Sequence, residues 1–153
     1  SELKELIPGS EHWPKLERNN SNRFEARMVQ VKINKSNSNF FRGMEGSQLL
    51  VPVNHGEGKM IFPEHVSAKK IISDNLAPIQ FCTNKGIEAE EFPENPNGSI
   101  HGITAVTNED GRFLIMMPHP ERSFLNNQLS WTNEKGKHSP WYKLFLNARN
   151  FYS

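Results

Sequence analysis

The sequence predicts an α/β domain made mostly of short strands, several joined as hairpins and closed by an amphipathic C-terminal helix. Three observations lead there. Apolar residues fall in brief alternating or continuous runs, too short for helices. Turn residues (Gly, Asn, Pro) punctuate the chain at close intervals. Helical spacing is confined to a few places and is clearest in "SPWYKLFLNARNFY" at the end.

The chain has 153 residues, enough for one domain with a core. Its 18 basic and 17 acidic residues leave a net charge of +1. No basic face or acidic tail argues for nucleic acid or a membrane surface as partner. No apolar run approaches the ~18 residues of a membrane-spanning helix. The opening "SELKELIPGS" is too charged for a secretory signal. The single cysteine, Cys82, has no intramolecular partner, and a reducing, cytoplasmic compartment fits best. The Asn-x-Ser triplets at Asn19, Asn34 and Asn97 are read as chance in such a chain.

Each element has its own signal. "SELKELIP" reads as the tail of a helix: Leu3, Leu6 and Ile7 share a face, and Pro8-Gly9 stops it. No cap precedes it, so the domain is expected to begin upstream. Residues 23–33 alternate Phe24, Ala26 and Met28 with polar neighbours, as in a half-buried strand. Residues 47–53 form a short apolar run interrupted by Pro52, which places its end near an edge or loop. "NHGEGK" is a glycine turn, and "KMIF" restarts an extended segment. Residues 63–75 open with Pro63 and Glu64 and read as a short helix. "APIQFCT" and "IEAEEF" flank "NKG" as one hairpin; "GITAVTN" and "RFLIMM" flank "EDG" as another. At the end, Ser139 is the expected N-cap and Pro140 the first helical residue. Trp141, Leu144, Phe145 and Ala148 make that helix's apolar stripe. Residues 125–139 read as a polar loop with an isolated Trp131.

The chemistry gathers at "RFLIMMPHPERSF". An apolar strand ends at Pro118 and delivers His119, with Glu121 two residues on. Residues just past a strand end sit at the rim of a sheet, where α/β proteins place their sites. A carboxylate there can fix the tautomer of the imidazole and leave its second nitrogen as a base. Three readings stay open on the residues alone. The pair is a catalytic dyad, a structural pair on a loop, or part of a metal site completed by His55 and Glu57. No cysteine pair or His-x3-His spacing supports the metal reading.

Several motifs in one order then carry a resemblance: "ELIPGSEHWP", "NRFEAR", "VNHGEGK", "NPNGS", "GITAVTNEDGRFLIMMPHPERSF" and "SPWYKLFLNARN". Together they cover essentially the whole chain. The chain resembles the C-terminal glutaminase domain of phosphoribosylformylglycinamidine synthases of the large, single-chain form. The resemblance implies that residues 1–153 are the C-terminal part of a class I glutamine amidotransferase domain. That fold is flavodoxin-like and three-layered, with a mixed sheet. It also implies a Cys-His-Glu triad in which His119 and Glu121 are the histidine and the acid. Glutamine is the implied substrate, and the synthetase domain of the same parent chain the implied partner. ATP and Mg²⁺ belong to that synthetase domain, and no cofactor or metal is expected in this segment. Asn54, Gly56 and Glu57 match a turn that approaches the substrate, and Arg23 or Phe24 is expected to line the pocket.

The sequence departs from the family in one place. The cysteine elbow is expected upstream of "ELIPGS", together with the first parallel strands and part of the oxyanion hole. Cys82 lies in an apolar strand pattern without elbow glycines and is read as packing. The chain alone is therefore expected to be inactive and, with an open sheet edge, prone to self-association. The alternative is a non-catalytic, amidotransferase-like structural or interaction domain.

Overall fold

The computed structural model describes residues 5–133 and 135–153. Seven strands and two α-helices organise them: β1 (Lys15–Glu17), β2 (Glu25–Ile33), β3 (Gln48–His55), β4 (Lys59–Ile61), α1 (Ala68–Ser73), β5 (Ile79–Phe81), β6 (Ile103–Thr107), β7 (Leu114–Met116) and α2 (Tyr142–Tyr152). The main sheet has the order β3-β2-β5-β6-β7, and β1 pairs with β4 in a separate ribbon. Every pairing among the described residues is antiparallel. The parallel strands of the mixed sheet implied by the resemblance do not lie among them.

Alternation along β6 and β7 divides the core into two layers. Ala105, Leu114 and Met116 face a cluster built on Val31, Ile33, Phe41, Val51, Phe81 and Trp141. Val106, Ile115 and Met117 face a second cluster with Trp13, Met60, Ala68 and Ile71. Helix α2 covers the first face and α1 the second, which makes three layers.

The sheet curls. Leu50 and Pro52 turn their carbonyls away from β2: Trp141 Nε1 donates to Leu50 O at 2.8 Å, and the His119 amide donates to Pro52 O at 2.8 Å. The chain beyond β7 thus returns to the free edge of β3. Pro52 lies inside β3, but its missing N–H faces that free edge and costs the ladder nothing.

Several expectations change. Strand β2 forms, yet with the opposite face inward: Val29, Val31 and Ile33 are buried, whereas Phe24, Ala26 and Met28 are exposed. The β-branched residues hold more apolar surface next to β3 and β5, and they fix the register. The predicted helix at 63–75 shrinks to α1, because Ser67 Oγ accepts the Lys70 amide and caps it there. Around "NKG" the turn forms, with Thr83 N to Ile87 O at 2.8 Å, but the second arm contributes only the Cys82–Glu88 bridge. Of its apolar side chains Ala89 is buried in the first cluster while Ile87 and Phe92 are exposed, and β5 pairs with β2 and β6 instead. The "EDG" hairpin forms as expected. Gly111 sits at φ +70°, where an added Cβ would meet Asn37 O at 1.9 Å. Of the N-terminal helix, Glu5 is helical and Gly9 turns the chain at φ +80°. Leu3, on which its apolar face rested, lies outside the described residues, as does Glu134 in the 125–139 loop. Trp131 is exposed. At the C-terminal end the helix begins later than expected, at Tyr142 with Trp141 rather than Ser139 as its N-cap; Ser139 Oγ accepts the Trp141 amide at 3.2 Å in the turn before it, and Trp141 and Leu144 are buried as the stripe requires.

Candidate active site

His119 stands where β7 has ended and a single 3-10 turn, Pro120–Arg122, begins. Its backbone is held twice: the amide donates to Pro52 O, and the carbonyl accepts the Arg122 amide at 3.0 Å. Pro118 and Pro120 restrict the backbone on either side. The side chain meets Glu121 with Nδ1 to Oε1 at 2.7 Å. A carboxylate only accepts, so Nδ1 carries the hydrogen and Nε2 presents its lone pair. The imidazole is half-buried and Glu121 is exposed. Arg122 Nε lies 3.8 Å from the same carboxylate oxygen, a loose contact between exposed groups worth little by itself.

The glycine turn after β3 is clamped by two buried asparagines. Asn19 accepts the Gly58 amide at 3.0 Å and donates to His55 O at 2.8 Å and Arg23 O at 2.9 Å. Asn97 Nδ2 donates to Gly58 O at 2.7 Å. Both asparagines belong to Asn-x-Ser triplets, and their burial leaves no room for a glycan. Gly58 is required by space: a Cβ there would lie 2.2 Å from His55 Cε1.

His55 is the residue the sequence reading used only as a possible ligand. Asn19 Oδ1 lies 3.2 Å from its Nδ1. That oxygen can only accept, so Nδ1 carries the hydrogen. Nε2 is buried with no partner among the described residues. Burial pushes the His55 pKa below its ordinary 6.5, and the neighbouring His119 lowers it further, while its backbone hydrogen bond and Glu25 oppose. His55 is thus a neutral imidazole beside the half-buried one of His119. No local pattern announces this, since Asn19 lies 36 positions away.

The remaining predicted residues spread around this point. Asn54 is the next-to-last residue of β3, half-buried and opposite Ala26. Glu57 is exposed, and Gly56 lies 3.7 Å (measured from a built Cβ) from the Phe24 ring. Arg23 and Phe24 line an open cleft of about 800 Å³ with Glu25, Glu90, Phe92 and Pro96. His119, Glu121 and the glycine turn are not among its lining residues. The structure brings His119 to Glu121 and Phe24 to Gly56, and leaves Arg23 facing a separate cleft.

Cys82 is elsewhere. It is buried at the end of β5, its amide donates to Gln30 O, and burial raises its thiol pKa, an effect that nearby Lys32 only partly offsets. Among the described residues, three potential metal ligands converge at Glu88, Glu90 and His101 rather than around His119. His101 Nδ1 is already paired with Glu88 at 2.8 Å.

Residues 1–152 match the family model of the CobB/CobQ-like glutamine amidotransferase domain, and the chain belongs to that family. Among solved structures it is similar to PurLQS from Thermotoga maritima, with a TM-score of 0.65 and 22% sequence identity. The match covers 92% of this chain and 53% of that one. At this identity the likeness concerns the fold. The chain spans about half the length of the protein it matches. No helix among the described residues is long and apolar enough to cross a membrane.

Proposed function

We propose that the domain supplies ammonia from glutamine to a formylglycinamidine ribonucleotide synthetase, as the glutaminase part of a phosphoribosylformylglycinamidine synthase. The observation that carries the reading is the 2.7 Å pairing of His119 Nδ1 with Glu121, on a backbone anchored to Pro52. This arrangement leaves Nε2 to serve a thiol. Family membership and the fold of PurLQS support it.

The chemistry runs in two halves. A thiolate attacks the carboxamide carbon of glutamine. The tetrahedral adduct then breaks its C–N bond while the His119 imidazolium gives a proton to the leaving nitrogen. This releases ammonia and leaves a glutamyl thioester. Water attacks the thioester as Nε2 takes its proton, the C–S bond breaks, and glutamate departs. Glu121 holds the ring throughout and stabilises its charged form. Asn54, Gly56 and Glu57 meet the substrate through the glycine turn, with Phe24 packed beside Gly56; Arg23 assists from the neighbouring cleft. The ammonia replaces the amide oxygen of formylglycinamide ribonucleotide in a synthetase domain of the same parent chain. That step, outside these residues, would draw on ATP and Mg²⁺ to activate the oxygen, and belongs in this reading to cytoplasmic purine biosynthesis. Cys82, the one thiol present, is buried with a raised pKa and does not act as the nucleophile in this reading, so the 153 residues by themselves are expected to be inactive.

The test uses the full-length parent. His119→Ala abolishes glutamine-dependent synthesis and leaves ammonia-dependent synthesis intact. Equal loss of both makes His119 structural and favours a non-catalytic, amidotransferase-like domain.

A further inference from the structure

We infer that an acidic, apolar groove beside the glycine turn docks an arginine-bearing segment of the synthetase domain of the parent chain. The inference rests on the glutaminase reading and adds the surface by which that partner is held.

The cleft that Arg23 and Phe24 line does not stop at Glu90. A second open cleft, of about 480 Å³, shares Glu90 and Glu91 with it and continues to Ile87, Glu88 and Glu94. With Glu25, the joined groove sets five carboxylates against one cation, Arg23. Glu25 faces Arg27 at 3.4 Å and Glu88 faces His101 at 2.8 Å, whereas Glu91 and Glu94 form no ion pair among the described residues. Residues 86–100 contain no lysine or arginine, in a chain whose net charge is +1. The negative potential is therefore local to this groove. Three large apolar side chains stand exposed in it: Phe24 (64%), Ile87 (62%) and Phe92 (61%). Carboxylates interleaved with exposed apolar groups complement a basic segment with an apolar face.

The loop already shows how it holds a guanidinium. Arg27 Cζ lies 4.6 Å from the centroid of the Phe92 ring, and Arg27 Nη2 donates to Pro93 O at 2.8 Å. Phe92 keeps most of its surface open, so a second guanidinium can meet the ring and reach Glu90 or Glu91. Arginine suits both contacts, since its plane stacks on rings and its fork matches a carboxylate.

The groove is also bolted to the site. Phe24 lies beside Gly56, the Asn20 amide donates to Asn97 O at 3.1 Å, and Asn97 Nδ2 holds Gly58 O. Ammonia must pass to the synthetase without loss to water, so that domain has to cover a face next to the glycine turn. This groove is such a face, and its charge specifies what the partner brings.

Carboxyl footprinting of the full-length parent tests this. A carbodiimide couples glycine ethyl ester to accessible carboxylates, and mass spectrometry reads each glutamate. Glu45 and Glu64, exposed elsewhere on the domain, serve as internal standards. Glu90 and Glu91 are expected to label at least about tenfold more slowly than the standards, as for a groove occupied about ten times more often than it is empty. Glu91→Lys with Glu94→Lys should restore fast labelling at Glu90 and lower the product formed per glutamine hydrolysed at least about threefold, with ammonia-dependent synthesis unchanged. Labelling at the rate of the standards overturns the inference, as does an unchanged product ratio in the double variant. Protection lost on dilution assigns the groove to a second copy, and protection lost after chelator treatment assigns it to a metal ion; either overturns it. Glutamine hydrolysis is measured on the same samples. An open groove with hydrolysis intact removes the docking and keeps the glutaminase. A protected groove in a parent that hydrolyses no glutamine keeps the docking and removes the glutaminase.

Discussion

Replacing Asn19 by alanine removes the side chain that ties the glycine turn to the strand before it. Asn19 is almost completely buried and makes four contacts: Gly58 N at 3.0 Å, His55 O at 2.8 Å, His55 Nδ1 at 3.2 Å and Arg23 O at 2.9 Å. Arg23 is exposed, so water can replace its bond. The other three groups lie inside. Each lost buried bond costs about 1 kcal/mol, which gives roughly 3 kcal/mol in total. At about 2–4 °C per kcal/mol for a domain of this size, the thermal midpoint falls by about 6–12 °C. Differential scanning calorimetry of the wild-type chain and Asn19→Ala measures it. Asn19→Asp serves as the partner variant: it keeps the acceptor for Gly58 and His55 but turns a buried carboxylate oxygen toward the carbonyls of His55 and Arg23, so its midpoint also falls. A fall of less than about 2 °C for Asn19→Ala would show that solvent reaches the turn and that the clamp carries no stability.

Three further outcomes follow from other contacts. The folded-state pKa of His55 is lowered, so the unfolded chain binds more protons; this contribution to stability is present above about pH 6.5 and lost as pH falls. Urea midpoints measured from pH 7.5 to 5 should drop less steeply in His55→Gln than in the wild type; identical slopes would refute burial as the cause. Gly111→Ala places a Cβ against Asn37 O at positive φ and should cost more than about 2 kcal/mol by denaturant titration, whereas Gly136→Ala, with nothing within 4 Å, should cost only its φ strain. Trp141→Phe keeps much of the buried ring and loses the bond to Leu50 O, so a loss of about 1–3 kcal/mol is expected; no change in unfolding free energy would mean that the β3 edge is held without it.

How much of this was legible in the chain differs from element to element. The "EDG" hairpin, the C-terminal helix and the strand at 23–33 were readable because their signals are local: a turn residue, a cap, a two-residue or helical period. The face of that strand was misread. Phe24, Ala26 and Met28 and the Val29, Val31, Ile33 set both alternate, and only pairing with β3 and β5 chooses between them. The arm after "NKG" failed similarly: Ala89 joins the first core layer, but Ile87 and Phe92 stay exposed. His119 and Glu121 were readable as a pair because they stand two positions apart. His55 was not, because its tautomer and lowered pKa come from Asn19 and from burial.

By itself the sequence determined the punctuation, the existence of most elements and the His-x-Glu unit, all of which act over a few residues. Tertiary structure decided the inward face of β2, the curl that carries His119 to Pro52, and the neutral state of His55. Those depend on atoms far apart in the chain meeting where water is excluded. Only there do a bare lone pair, an unpaired strand edge or a missing Cβ carry a free-energy consequence.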